Sequence, residues 1–295
     1  MLLKTPEGQI AAAVPTRRMA IASMFTAGYA LAIAATADAA ITTDEDGLKI
    51  EEVTFKASGG TALPGYLARP AAKGRYPAVL VVNEIFGIHA YIKDVCRRYA
   101  KAGYVAFAPD YFDRAGDPST LTDFAEIRKI VAKAGVTQVA EDTDAAAAYL
   151  AGRKQVAKGR IGVTGFCWGG NVVWMAAARN PAFKAGVAYY GRLVSPPSQG
   201  PFPDAEKRLY PVDVAKDLKA PVLGLYGEKD QGIPLADVEA MRAALAAAGN
   251  PTKSEIIVYP GAQHGFHADY RPSYDEAAAK DAWTRTLAWF QAHGV

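Results

Sequence analysis

The chain has 295 residues, 51% of them hydrophobic, enough to bury a full core within one large α/β domain, and no shift in composition calls for a second. Its 33 basic residues against 30 acidic ones leave a net charge of +3, too even a balance for a nucleic-acid partner, and no Lys/Arg block is long enough to make one. The two cysteines, Cys96 and Cys167, lie in unlike contexts and argue against a disulfide framework.

Residues 1–39 read as an export signal. Thr16-Arg17-Arg18 opens an Ala-rich run over 19–35, and Ala37-Asp38-Ala39 has the small-x-small form of a cleavage site. The paired arginines suggest the twin-arginine route. Ala20 stands where such signals usually carry a bulky apolar residue, so Sec export stays open. The run falls short of the ~20 predominantly apolar residues of a membrane span, so no stable anchor is expected after cleavage. A single domain over 40–295 in the periplasm or outside the cell follows, or in the cytoplasm if the signal is not processed. Oligomeric state is not legible.

Residues 49–55 and 63–69 carry β formers around Ser58-Gly59-Gly60, which predicts an antiparallel hairpin. The unbroken apolar run 76–82 has the signature of a strand covered on both faces, ending at Asn83-Glu84-Ile85-Phe86-Gly87. A helix over 90–102, stopped by Gly103, leads to a second buried strand over 104–109. A polar loop over 110–118 contains Tyr111, Phe112, Asp113 and Arg114; helices over 121–134 and 137–152 follow. Then come a strand over 160–164, a tight turn, a helix over 171–178 and a strand over 185–190. Residues 191–220 form the longest irregular segment, with five prolines, and are expected to border a site. Strand 221–226, helix 235–248, strand 254–259 and helix 274–291 finish the chain. Strands alternating with helices predict an open, mostly parallel sheet with helices on both faces, its functional groups beyond the carboxyl ends of the strands.

The turn Gly165-Phe166-Cys167-Trp168-Gly169-Gly170 lies at such an end. It has the glycine spacing of the G-x-S-x-G nucleophile elbow with a thiol in place of the hydroxyl. The alternative is that Cys167 is a small buried hydrophobe. Asp230 follows strand 221–226, and His264 follows strand 254–259 within Gly261-Ala262-Gln263-His264-Gly265-Phe266. Taken singly, Asp230 could be a helix N-terminal acid and His264 could satisfy a loop backbone. Taken together, they place nucleophile, acid and histidine in the chain order of α/β-hydrolases. Each type has work to do: the imidazole takes and returns the thiol proton, and the carboxylate fixes its tautomer and stabilises its charged form. His264 and His267 also make an H-x-x-H, but no partner set with structural-zinc spacing accompanies them, so neither a metal nor a cofactor is expected.

Asn83-Glu84-Ile85-Phe86-Gly87, Pro109-Asp110-Tyr111-Phe112, the cysteine elbow, Ala188-Tyr189-Tyr190-Gly191, Asp230 and His264-Gly265-Phe266 together resemble the dienelactone hydrolase (carboxymethylenebutenolidase) family of α/β-hydrolases, over roughly residues 49–291. The resemblance implies a Cys167, Asp230, His264 triad and an oxyanion hole from the backbone N–H groups of Ile85 and Trp168. It implies that Glu84 contacts the resting thiol and helps generate the thiolate; the alternative for Glu84 is an ion pair with Arg114 or another base. Arg114 occupies the place of a family arginine that binds the substrate carboxylate, or is a surface loop arginine, and Tyr190 is expected to line the pocket. The chain departs from the family pattern at Ala268, where a second carboxylate-binding arginine is usual; Arg271 is near but out of register. The implied activity is hydrolysis of a small ester or lactone. Two rival readings are a redox-active or oxidant-sensing thiol at Cys167 and a degenerate hydrolase serving as a binding module.

Overall fold

The computed structural model describes residues 41–195 and 208–295. The export signal expected over 1–39 and residues 196–207 of the long connection lie outside them. The alternation read from the sequence folds as one eight-stranded sheet in the order β1-β2-β4-β3-β5-β6-β7-β8. Its strands are β1 (Leu48–Lys56), β2 (Ala62–Pro70), β3 (Tyr76–Val82), β4 (Val105–Pro109), β5 (Val156–Phe166), β6 (Phe183–Tyr189), β7 (Val222–Gly227) and β8 (Glu255–Tyr259). The predicted hairpin pairs antiparallel, and β2 also pairs antiparallel with β4; every other pairing is parallel.

Among the described residues, six helices of ten residues or more cover the sheet, α1 (Ala90–Lys101), α2 (Phe124–Lys133), α3 (Val136–Gly152), α4 (Trp168–Arg179), α5 (Leu235–Ala247) and α6 (Glu276–Ala292), and a single helical turn forms over Pro211–Val214. The apolar run in β3 is buried from Ala78 to Val82, as expected of a strand with helices on both faces. On α1 the residues Tyr91, Ile92, Val95, Cys96 and Tyr99 recur at helical spacing and are all buried, so this stripe docks the helix on the sheet. Two boundaries at the elbow differ from the sequence reading. β5 continues two residues past Thr164, and α4 begins at Trp168 rather than 171, because the elbow turns within a single residue.

The register decides where the chemistry gathers. Val82 lies opposite Gly165, Phe166 opposite Tyr189, and Gly227 opposite Tyr259. The residues that follow these strands, Glu84, Cys167, Tyr190, Asp230 and His264, therefore emerge along one edge of the sheet.

Candidate active site

Cys167 sits between β5 and α4 with φ 56° and ψ −113°, at a positive φ that a residue with a Cβ rarely adopts. Its own N–H donates to the Tyr189 carbonyl at 3.0 Å, and its carbonyl accepts from Gly170 N–H at 3.0 Å. The glycines of the elbow are required by close approach: a Cβ on Gly169 would stand 2.4 Å from the Val82 carbonyl oxygen, and one on Gly165 would stand 2.4 Å from that of Gly169. The turn can thus press α4 against the end of β3 and β5 only with bare backbone there.

His264 Nδ1 and Asp230 Oδ2 are 2.7 Å apart. The other carboxylate oxygen of Asp230 accepts from the N–H groups of Gly232 (2.8 Å) and Ile233 (3.1 Å), so the acid is fixed by its own turn and presents one oxygen to the imidazole. With Nδ1 engaged, Nε2 is the nitrogen left for the Cys167 thiol, on which the His264 charge acts. Burial disfavours an imidazolium, yet the Asp230 carboxylate and the Cys167 sulfur raise His264 to about 10. Burial pushes the Cys167 thiol up and the Glu84 charge adds to this, but the His264 charge and hydrogen bond outweigh both and hold it below the ordinary thiol value. The pair is therefore set toward thiolate and imidazolium.

Glu84 is fully buried beneath this pair and is held as a carboxylate. Tyr270 donates to its Oε2 at 2.5 Å, Arg271 donates to its Oε1 at 2.8 Å, and His89 Nε2 stands 3.4 Å from Oε2. Burial alone would raise the acid, but the Arg271 guanidinium, with His89 and Tyr270, brings it down to about 2. Of the two arginines weighed for substrate binding, Arg271 is thus the one at the centre, despite its register, and its position there is on Glu84.

Arg114 is placed elsewhere. Its guanidinium donates to both oxygens of the buried Asp142 (2.7 and 3.1 Å) and reaches the carbonyl of Ser58 at the hairpin turn, so it ties the polar loop to α3 and to the β1–β2 connection. Of the two roles expected for Arg114, the contacts here are those of a loop arginine: α3 brings Asp142 under the loop, and the guanidinium is engaged with it. Arg114→Ala is expected to cost about 1–3 kcal/mol of stability, because Asp142 loses its cation while remaining buried, and to change kcat/KM for a carboxylate-bearing ester less than about threefold. A larger kinetic loss with unchanged stability would reverse the assignment. Tyr190 is fully buried, with φ 37°, and its ring meets His264 edge-on at 5.1 Å, so it backs the imidazole rather than facing an open pocket.

Trp168 is the first residue of α4, a position whose N–H has no acceptor within the helix. Among the described residues, neither its N–H nor that of Ile85 donates to a backbone carbonyl outside regular elements. His267 turns away from His264 into the core, where its Nδ1 lies 2.7 Å from the Tyr91 hydroxyl. The sequence reading missed Tyr270 and His89. Tyr270 adjoins Arg271, and His89 lies five positions after Glu84, but neither spacing alone marks a contact with a carboxylate.

A match to the dienelactone hydrolase family extends over residues 63–294. A protein of Methylorubrum extorquens with the provisional name carboxymethylenebutenolidase is 50% identical over 282 residues, covering 95% of this chain and 94% of the relative. One of Salmonella typhimurium, with the same provisional name, is 48% identical over 251 residues, covering 84% and 90%. The crystal structure of a protein of Klebsiella pneumoniae, provisionally named a dienelactone hydrolase, superposes with a TM-score of 0.76 at 47% identity, covering 83% of this chain and 98% of that one.

Proposed function

This chain belongs to the dienelactone hydrolase family, and from that premise we propose that it hydrolyses small esters or lactones through Cys167, His264 and Asp230 by way of an acyl-thioester. The observation that carries this reading is the His264 imidazole, bonded at one nitrogen to Asp230 at 2.7 Å and acting by its charge on the Cys167 thiol. The Cys167 thiolate attacks the carbonyl carbon, and the π electrons move onto the oxygen, which the N–H groups of Ile85 and Trp168 receive. Collapse of the adduct expels the alkoxide, which takes the proton from the His264 imidazolium. The imidazole then removes a proton from water as its oxygen attacks the thioester. The second adduct breaks to the carboxylic acid and the Cys167 thiolate, with the imidazolium restored. Asp230 stabilises each charged state of His264, and Tyr190 limits tilting of the ring. Glu84, which the family resemblance casts as the group that helps generate the thiolate, here has its oxygens engaged by Tyr270 and Arg271, and its charge opposes the Cys167 thiolate.

A panel of activated esters and of lactones, with and without a free carboxylate, tests the reading when it is followed by the intact mass of the protein. Turnover of part of the panel, with a transient acyl mass located on Cys167, is the expected result. A folded protein that hydrolyses no member, or one whose acyl mass lies elsewhere, would refute it. Oxidant sensitivity of Cys167 in the absence of any turnover would instead favour a redox thiol.

A further inference from the structure

A groove of 370 Å³ runs along the outer side of α4, and it is separate from the charged cluster around Glu84. One wall is a single face of α4, where Trp168, Val172, Met175 and Arg179 recur at helical spacing. The opposite wall is the facing side of α3, with Val139 and Ala140, and most of the lining is apolar. The groove begins at Trp168, whose ring leans on Tyr111 and Phe112 at centroid distances of 5.6 and 5.0 Å and whose backbone adjoins Cys167. Its far end carries Arg179, which donates to Asp144 at 2.7 Å in a partly exposed pair. Trp168 and Arg179 are eleven helical steps apart, a span of roughly 16 Å. The volume lies within the range of small-ligand sites, and an apolar occupant would bury against walls that offer water few partners.

We propose that this groove is a subsite for an unbranched apolar chain carried by the substrate, so that the enzyme discriminates esters by chain length. The proposal rests on the reading of Cys167 as the nucleophile. Because Trp168 is both the neighbour of Cys167 and the first wall of the groove, a chain attached to the reacting carbonyl enters beside the indole and runs along Val172 toward Met175. The chain belongs either to the acid or to the alcohol portion of the ester, and the two are separable by experiment.

The test measures kcat/KM for 4-nitrophenyl acetate, butyrate, hexanoate and octanoate, which lengthen the acid, and for ethyl and hexyl acetate, which lengthen the alcohol. One of the two series is expected to rise by roughly threefold for each methylene that enters the groove. In Met175→Trp and Ala140→Phe, which narrow the groove from opposite walls, the long-to-short ratio of that series is expected to fall at least about tenfold. Either variant decides the matter if the other fails to fold. Hydrolysis of the acetates with flat series in the wild type, or with an unchanged ratio in a folded variant, overturns the subsite and leaves the nucleophile standing. Absence of turnover for every ester, or turnover that survives Cys167→Ala, overturns the nucleophile and the subsite with it.

Discussion

Cys167→Ala is expected to lower kcat/KM for an activated ester by at least about 10³-fold, and His264→Ala by a comparable factor, because members of one catalytic unit lose most of its effect when removed singly. The double variant should then be little worse than either single one. A second readout separates chemistry from folding. In the wild type, the His264 charge and hydrogen bond hold the Cys167 thiol below its ordinary value against burial. Alkylation by iodoacetamide should therefore stay fast as pH falls below the ordinary thiol pKa near ~8.5. In His264→Ala, burial and the Glu84 charge are opposed only by Arg271, so the midpoint of alkylation should move upward, past that of a free thiol. Cys96 does not confuse the assay, since its complete burial pushes its thiol far up. A midpoint that does not move on removal of His264 would mean that the imidazole does not govern the thiol.

Glu84→Gln should cost about 3–5 kcal/mol of stability, since it leaves the Arg271 charge buried without its counter-charge. The direction with pH follows from the depressed acid. Glu84 lies at about 2 in the folded protein against an ordinary 4.5. Its contribution is therefore fully present above about 4.5 and is lost as pH falls toward 2, amounting to about 3 kcal/mol across that window. Urea unfolding at pH 7 and at pH 3 should show the wild type weakening more than Glu84→Gln. Removing both charges, as in Glu84→Gln with Arg271→Met, should cost less than the sum of the single changes. Equal acid sensitivity of wild type and Glu84→Gln would show that the carboxylate is not held ionised by its buried partners.

The same cluster shows what could and could not be read in advance. Glu84 was legible as a carboxylate at a strand end, and its need for a partner was legible too, because a buried charge is costly without one. Which partner it takes was not. Arg271 lies 187 positions away, and Tyr270 reaches the same carboxylate from the adjoining position. The loop between β8 and α6 delivers both residues because it is folded against α1, where Arg98 pairs with Asp269 and Tyr91 meets His267. Register against His264 therefore said little about where Arg271 would point. Arg114 shows the converse: its place in the chain suggested a ligand, but the path of α3 sets Asp142 beneath it.

By itself the sequence determined the alternation of strands and helices, a glycine-flanked turn carrying Cys167, and the order of Cys167, Asp230 and His264 at strand ends. Those features depend on local periodicity, on glycines that admit close backbone approach, and on the rule that a parallel sheet gathers its loops at one edge. Only the tertiary structure decided that His264 bridges Asp230 and Cys167, that Arg271 rather than Arg114 meets Glu84, and that a groove leads from Trp168 along α4. Those contacts join residues far apart in the chain, and their geometry is set by strand register and loop packing, which no local spacing encodes.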